Sequence, residues 1–176
     1  QGYVLATPIQ LALMTARIAN GGKKIKPTLL KSPILKASNA NSVKVSEENL
    51  NIIKRAMEKV SLDDFGTGRN FRLGIKGVEM AGKTGTVQVR RISTKERESE
   101  EGVIKNEDRI WEWRDHALYV GYAPMDKPRY AISVIVEHGG SGSSKAGPIA
   151  RDIMEATLTD DPTRFIPKNP IKKPII

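Results

Sequence analysis

Lys83-Thr84-Gly85-Thr86 places an amine, two hydroxyls and a position without a side chain in one short run. The same residues close a longer pattern. Gly77-Val78-Glu79-Met80-Ala81-Gly82-Lys83-Thr84 satisfies the phosphate-loop signature G-x-x-x-x-G-K-[ST] at every fixed position. A phosphate loop leaves a buried strand and opens a helix whose N-terminal N–H groups meet the phosphates. Here Arg69, Asn70, Arg72 and Lys76 make the preceding stretch a poor buried strand. Behind Thr84 stand Gly85, Thr86, Val87, Gln88 and Val89, which disfavour a helix and favour a strand. Nucleotide binding by Gly77 to Thr84 therefore remains the alternative, and a strand the preferred reading.

On a strand, alternation puts Thr84 and Thr86 on one side, where two hydroxyls can meet a carboxylate. Lys83 starts on the other side, with a long flexible stem that carries an ammonium. Gly85 lets a peptide-like ligand approach the backbone and pair as an added strand. Gln88 falls on the side of the two threonines and either extends such a groove or is a polar residue of the sheet surface.

The elements that must position this run are legible on both sides of it. Thr7-Pro8-Ile9-Gln10 combines a capping-box pair, Thr7 and Gln10, with proline at the first helical position. The body from Leu11 to Ala19 is apolar on more than one face and is expected to be buried; Asn20-Gly21-Gly22 stops it. Lys23 to Val45, interrupted by Pro27 and Pro33, reads as extended or hairpin-like loop. Ser46 opens a second helix with Glu47 and Glu48 in its first turn and Leu50, Ile53, Met57 and Val60 as its apolar stripe. Asp63 to Lys76 is a glycine-rich loop.

Three strands are expected, Glu79 to Val89, His116 to Ala123 and Tyr130 to Glu137, the last two joined as a hairpin by Pro124-Met125-Asp126-Lys127-Pro128. Between the first two, Arg90 to Arg114 carries seven basic and seven acidic residues and reads as a mobile surface excursion, anchored at most by Trp111 and Trp113. A closing helix runs from Pro148 to about Leu158. Asp160 to Ile176, with four prolines, is a tail.

The net charge of +9 invites an anionic partner. Its basic residues are scattered in small groups with little aromatic interleaving, so a membrane surface or an acidic polymer fits as well as nucleic acid, and no nucleic-acid partner is inferred. With no cysteine, disulfides and thiolate metal sites are excluded. No apolar run reaches the ~18 residues of a membrane span. The opening Gln1-Gly2 lacks an initiator methionine, so the chain is expected to be a piece of something longer.

Four stretches, one of them containing the KTGT run, resemble one family in its order. Gln1-Gly2-Tyr3 with Ala6-Thr7-Pro8-Ile9-Gln10-Leu11-Ala12 resembles the G-Q-G…T-P-x-Q stretch of class B penicillin-binding proteins. Met80 to Val89 resembles their A-G-K-[ST]-G-T-x-Q-V core. Asp115-His116-Ala117 through Gly121-Tyr122-Ala123-Pro124 resembles the D-H-A…G-[YF]-A-P strand of the elongation-type subgroup, penicillin-binding protein 2. Glu137-His138-Gly139-Gly140 and Ala146 to Ala150 resemble the last strand and closing helix.

The resemblance implies an α+β fold of the penicillin-binding/β-lactamase-like transpeptidase type, present in part: three C-terminal strands of an antiparallel sheet with flanking helices. It implies that residues 1–159 belong to the transpeptidase domain; 160–176, read as a proline-rich tail from composition, add nothing to it. It implies a serine-type D,D-transpeptidase that cross-links peptidoglycan stem peptides and binds β-lactams, with no cofactor and no metal. Lys83 and Thr86 would be catalytic, Thr86 through its N–H as an oxyanion donor. Thr84, Gly85, Thr86 and Gln88 would bind substrate. Expected partners are a glycan polymerase and shape-determining proteins at the periplasmic face of the inner membrane, and a second copy of the fragment. A serine β-lactamase or β-lactam sensor shares KTG, but the T-P-x-Q and D-H-A segments favour the transpeptidase. A non-catalytic basic binding module is the alternative from outside enzymology.

No serine in this sequence has lysine three residues on, and none has asparagine two residues on. The family's other two active-site motifs, S-x-x-K and S-x-N, are therefore missing, and the nucleophile is expected upstream. His116 reads as a hydrogen-bonded structural histidine beside the site or as a residue that tunes it. His138 reads as a strand-end residue. Asp115, His116 and Glu137 lack metal-ligand spacing. Gly139 to Ser144 is either a substrate contact or a flexible connection.

Overall fold

The computed structural model describes residues 4–29, 41–100 and 102–160. Gln1 to Tyr3, Pro33 and all of the expected tail except Asp160 lie outside them. Among the described residues, four α-helices and three strands follow in the order α1 (Pro8–Ala19), α2 (Glu47–Leu62), β1 (Ala81–Val87), α3 (Thr94–Glu98), β2 (His116–Ala123), β3 (Tyr130–Val136) and α4 (Gly147–Asp160). The expected capping box is formed: the Thr7 side chain accepts from Gln10 N–H, and the Gln10 side chain accepts from Thr7 N–H at 2.8 Å. Ser46 caps α2 by accepting from Asn49 N–H at 3.3 Å. The stretch after α1 is tied at its ends by an antiparallel bridge between Lys23 and Ser42.

The strands form one antiparallel sheet in the order β1-β2-β3. Thr84 stands opposite Tyr119 and Thr86 opposite Ala117; across the second ladder Tyr119 faces Val134. β2 is central and its last five residues are all buried, as a strand covered on both faces must be. One face packs on α4 and the loop before β1, through Tyr119, Ala117, Phe71, Met80, Met154 and Leu158. Phe71 meets Tyr119 edge-on, with ring centroids 5.2 Å apart. The other face packs Ala81 and Tyr122 against Ala19 of α1 and Met57 of α2. Burial pushes the Tyr119 hydroxyl well above the ordinary tyrosine range. Burial, aided by the negative charge of Glu58, pushes Tyr122 up to about 12.

Two expectations about packing are corrected. α1 buries only Thr15 and Ala19, while Ile9 is 59% and Met14 46% exposed. It rests on β2 and β3 by one side, and its other apolar side opens into a groove of about 630 Å³ shared with Val45, Leu50 and Ile53. In α2, Leu50 and Met57 are buried but Ile53 is exposed at the same groove.

The charged excursion is also more structured than its composition suggests. Within it lie α3 and two single 3-10 turns, Asn106–Asp108 and Trp111–Trp113. Arg90 grips Glu96 with its two terminal guanidinium nitrogens, and that hydrogen bonding holds the Glu96 carboxyl below its usual range and the Arg90 guanidinium above it. Arg109, 8% exposed, donates to the Ile104 carbonyl at 3.0 Å and pairs with Asp115 at 3.2 Å. Paired charges anchor the segment, together with the Trp111 ring against that of His138; Trp111 and Trp113 both stay more than half exposed.

Candidate functional site

β1 is one of the two edge strands, so one side of its backbone is left without a strand partner among the described residues. Residues opposite each other in an antiparallel ladder share a face. Thr84 and Thr86 pair with Tyr119 and Ala117, which belong to the α4-side core, so both threonines lie on that face. Lys83 pairs with Val120, in step with Ala81 opposite Tyr122, and so lies on the face of α1 and α2. The alternation read from the sequence is therefore realised.

Lys83 is exposed and its Nζ donates to the Thr84 carbonyl at 2.6 Å. Thr84 is half-buried, and its Oγ1 lies 2.9 Å from Oγ1 of Thr67. Thr86 is exposed. Gln88 lies just past the end of β1 and is half-buried. Because Lys83 and Thr84 sit inside a strand that runs on to Val87, no helix N-terminus meets them, and the phosphate-loop alternative fails.

The segment expected as a Gly/Ser connection is an ordered wall of the site. Gly142–Ala146 forms one π-helical turn that leads directly into α4. A Cβ on Gly142 would lie 2.4 Å from the Gly85 carbonyl oxygen and 2.3 Å from that of Leu118, so only glycine lets this turn rest on the backbone of β1 and β2. From Thr86 outward, the turn and the charged excursion border an open cleft of about 660 Å³, lined among others by Trp111, Arg114, Glu137, His138 and Lys145. Both signs of charge line it. Among the described residues no group of three or more His, Cys, Asp or Glu is placed to hold a metal ion, and no helix is long and apolar enough to cross a membrane.

His116 and His138, assigned unrelated roles from sequence, are partners. His138 N–H donates to His116 Nδ1 at 2.9 Å, and the Trp111 ring lies 4.3 Å from that of His138. Thr67 is given no role by the sequence reading, though a threonine flanked by Gly66 and Gly68 is a usable signal. Gly142 falls inside the Gly139 to Ser144 segment, but its packing role has no sequence signal, since it depends on what the glycine rests against.

The sequence matches the penicillin binding protein transpeptidase domain over residues 1–155. It is 36% identical over 169 residues to the peptidoglycan D,D-transpeptidase MrdA of Haemophilus influenzae, covering 90% of this chain and 24% of that protein. Among solved structures, Pseudomonas aeruginosa PBP2 in complex with WCK 5153 superposes with a TM-score of 0.69 at 34% identity, over 94% of this chain and 33% of that one. The complex between PBP2 and MreC from Helicobacter pylori gives a TM-score of 0.65 at 30% identity, over 91% and 26% of the two chains. The chain thus spans about a quarter of the length of the curated relatives it matches. With the KTGT edge strand, the three-stranded antiparallel sheet between helices and the match over most of its length, this chain belongs to the penicillin-binding protein transpeptidase family.

Proposed function

We propose that the chain is the C-terminal part of a peptidoglycan D,D-transpeptidase, with residues 1–159 in its transpeptidase domain and 160–176 a tail. The observation that carries the reading is the KTGT run on an edge strand, with Lys83 and the two threonines on opposite faces. A serine outside this sequence attacks the D-Ala–D-Ala carbonyl. The C–N bond breaks, D-Ala leaves with a proton on its amine, and an ester remains on the serine. The amine of a neighbouring stem peptide then attacks the ester, an amide forms, and the serine recovers its proton. β-Lactams acylate the same serine.

In this scheme Lys83 brings its ammonium to the serine–lysine cluster. Thr84 and Thr86 donate hydroxyl hydrogens to the substrate carboxylate, Gly85 admits the peptide to the strand edge, and Gln88 extends the groove. The Thr86 N–H donates to the developing oxyanion. The Helicobacter pylori PBP2–MreC complex supports a shape-determining protein as partner of the longer protein. A glycan polymerase partner and a place at the periplasmic face of the inner membrane follow from the same reading. The isolated chain would pair with a second copy through its exposed apolar groove.

Labelling with a fluorescent penicillin on a denaturing gel tests this. The longer protein is expected to carry the label and the isolated chain to carry none. A longer protein that takes no label overturns the transpeptidase reading; a specific band on the isolated chain overturns the placement of the nucleophile.

A further inference from the structure

Thr67 stands in the loop after α2, and its hydroxyl oxygen lies 2.9 Å from that of Thr84, 17 residues further along the chain. The loop that carries it has little freedom. Gly68 N–H donates to the Val60 carbonyl at 2.7 Å and Gly66 N–H to that of Asp63 at 2.9 Å. Arg72 clamps the same helix end, donating to the carbonyls of Ser61 at 2.6 Å and Leu62 at 2.8 Å. A Cβ on Gly66 would lie 2.3 Å from the Val60 carbonyl oxygen, so the loop lies directly on the end of α2. Thr67 is thus presented to β1 by a braced support, although its own side chain is exposed.

A hydroxyl has one hydrogen to donate and two lone pairs with which to accept. If Thr84 spends its hydrogen on a carboxylate, the bond between the two threonines must run from Thr67 to Thr84. We propose that Thr67 is a positioning residue: by donating to Thr84 Oγ1 it turns the Thr84 hydrogen outward, toward the carboxylate of a bound peptide or β-lactam. Consecutive hydroxyl bonds also polarise one another, which strengthens the outer one. The inference rests on the reading of Thr84 as a carboxylate contact. A tie that merely fastened loop to sheet would stabilise the fold and be indifferent to the charge of the ligand.

The test is made in the longer protein that contains this chain. Second-order acylation rates are measured with a penicillin bearing its free carboxylate and with its methyl ester, for wild type, Thr67→Val, Thr67→Ser, Thr84→Val and the double valine variant. Thr67→Val is expected to lose roughly fivefold on the free acid, the scale of one hydrogen bond weakened rather than removed, and almost nothing on the ester. Thr67→Ser restores the rate. The double variant is no slower than Thr84→Val, because both changes break one relay. Thr67→Ala gives the same comparison where valine disturbs the loop. Unchanged acylation of the free acid, equal losses on acid and ester, or additive losses in the double variant would each overturn the proposal. A normal free-acid rate in Thr84→Val removes the carboxylate role of Thr84, and the proposal with it, while leaving the transpeptidase reading intact. A wild-type protein that penicillin does not acylate overturns that reading itself.

Discussion

The main-chain N–H of His138 donates to Nδ1 of His116 at 2.9 Å, which brings the two histidines of this chain together at the end of the sheet. Their rings meet edge-on with centroids 4.7 Å apart, and Nδ1 of His138 lies 3.0 Å from the Arg114 carbonyl oxygen. His138 holds a left-handed backbone, with φ of 54°, which its side-chain contacts must sustain. Since Nδ1 of His116 accepts, the neutral ring carries its hydrogen on Nε2. Nitrogen-15 spectra of the imidazole are expected to show that tautomer. His116→Ala should cost about 1–2 kcal/mol in denaturant unfolding, the cost of leaving a partly buried N–H unpaired. A neutral ring with its hydrogen on Nδ1 would contradict the assignment.

Arg109 organises the second half of the charged excursion from a nearly buried position, through Ile104 and Asp115. Amide exchange should therefore be slowed for residues 106–115 relative to a disordered segment. Arg109→Met leaves the Asp115 carboxylate, only 16% exposed in its side chain, with no salt-bridge partner among the described residues and a single long bond from the Val89 N–H at 3.4 Å, and is expected to cost about 3 kcal/mol. Exchange as fast in wild type as in the variant would return the segment to the mobile loop its composition suggests.

At alkaline pH the buried tyrosines work against the fold. The Tyr122 hydroxyl ionises near 10.0 in an unfolded chain and is pushed up to about 12 here, burial being the main cause. A raised pKa in the folded state means stability that is fully present below pH 10 and is lost as pH rises from there to about 12. Tyr122→Phe should resist alkaline unfolding across that window, followed by circular dichroism. Equal alkaline midpoints for the two proteins would show that Tyr122 is solvated.

For the proposed chemistry, replacing the Thr86 amide by an ester removes the N–H with little change of shape. In the longer protein this is expected to slow β-lactam acylation by on the order of a hundredfold, the scale of losing one oxyanion donor. Thr86→Ala keeps the N–H and loses only the hydroxyl contact, about 1 kcal/mol. An ester variant that acylates at the normal rate removes the oxyanion role from this residue.

What the sequence determined by itself was local. Thr7, Pro8 and Gln10 are sufficient for the start of α1, and Ser46 with two glutamates for that of α2, because caps satisfy backbone groups within three residues. Strand alternation around KTGT and the hairpin between β2 and β3 were legible for the same reason, since side-chain period and turn chemistry are short-range properties. Which apolar face of α1 is covered was not legible, because that depends on what stands opposite the helix. The excursion misled for a related reason: dense balanced charge reads as solvated until Arg90 finds Glu96 and Arg109 finds Asp115, and partners are a matter of geometry. The Thr67–Thr84 contact, the His116–His138 pair and the rest of Gly142 on Gly85 join residues 17, 22 and 57 positions apart along the chain. No local pattern encodes them, for they exist only once the sheet and its helices have closed around one another.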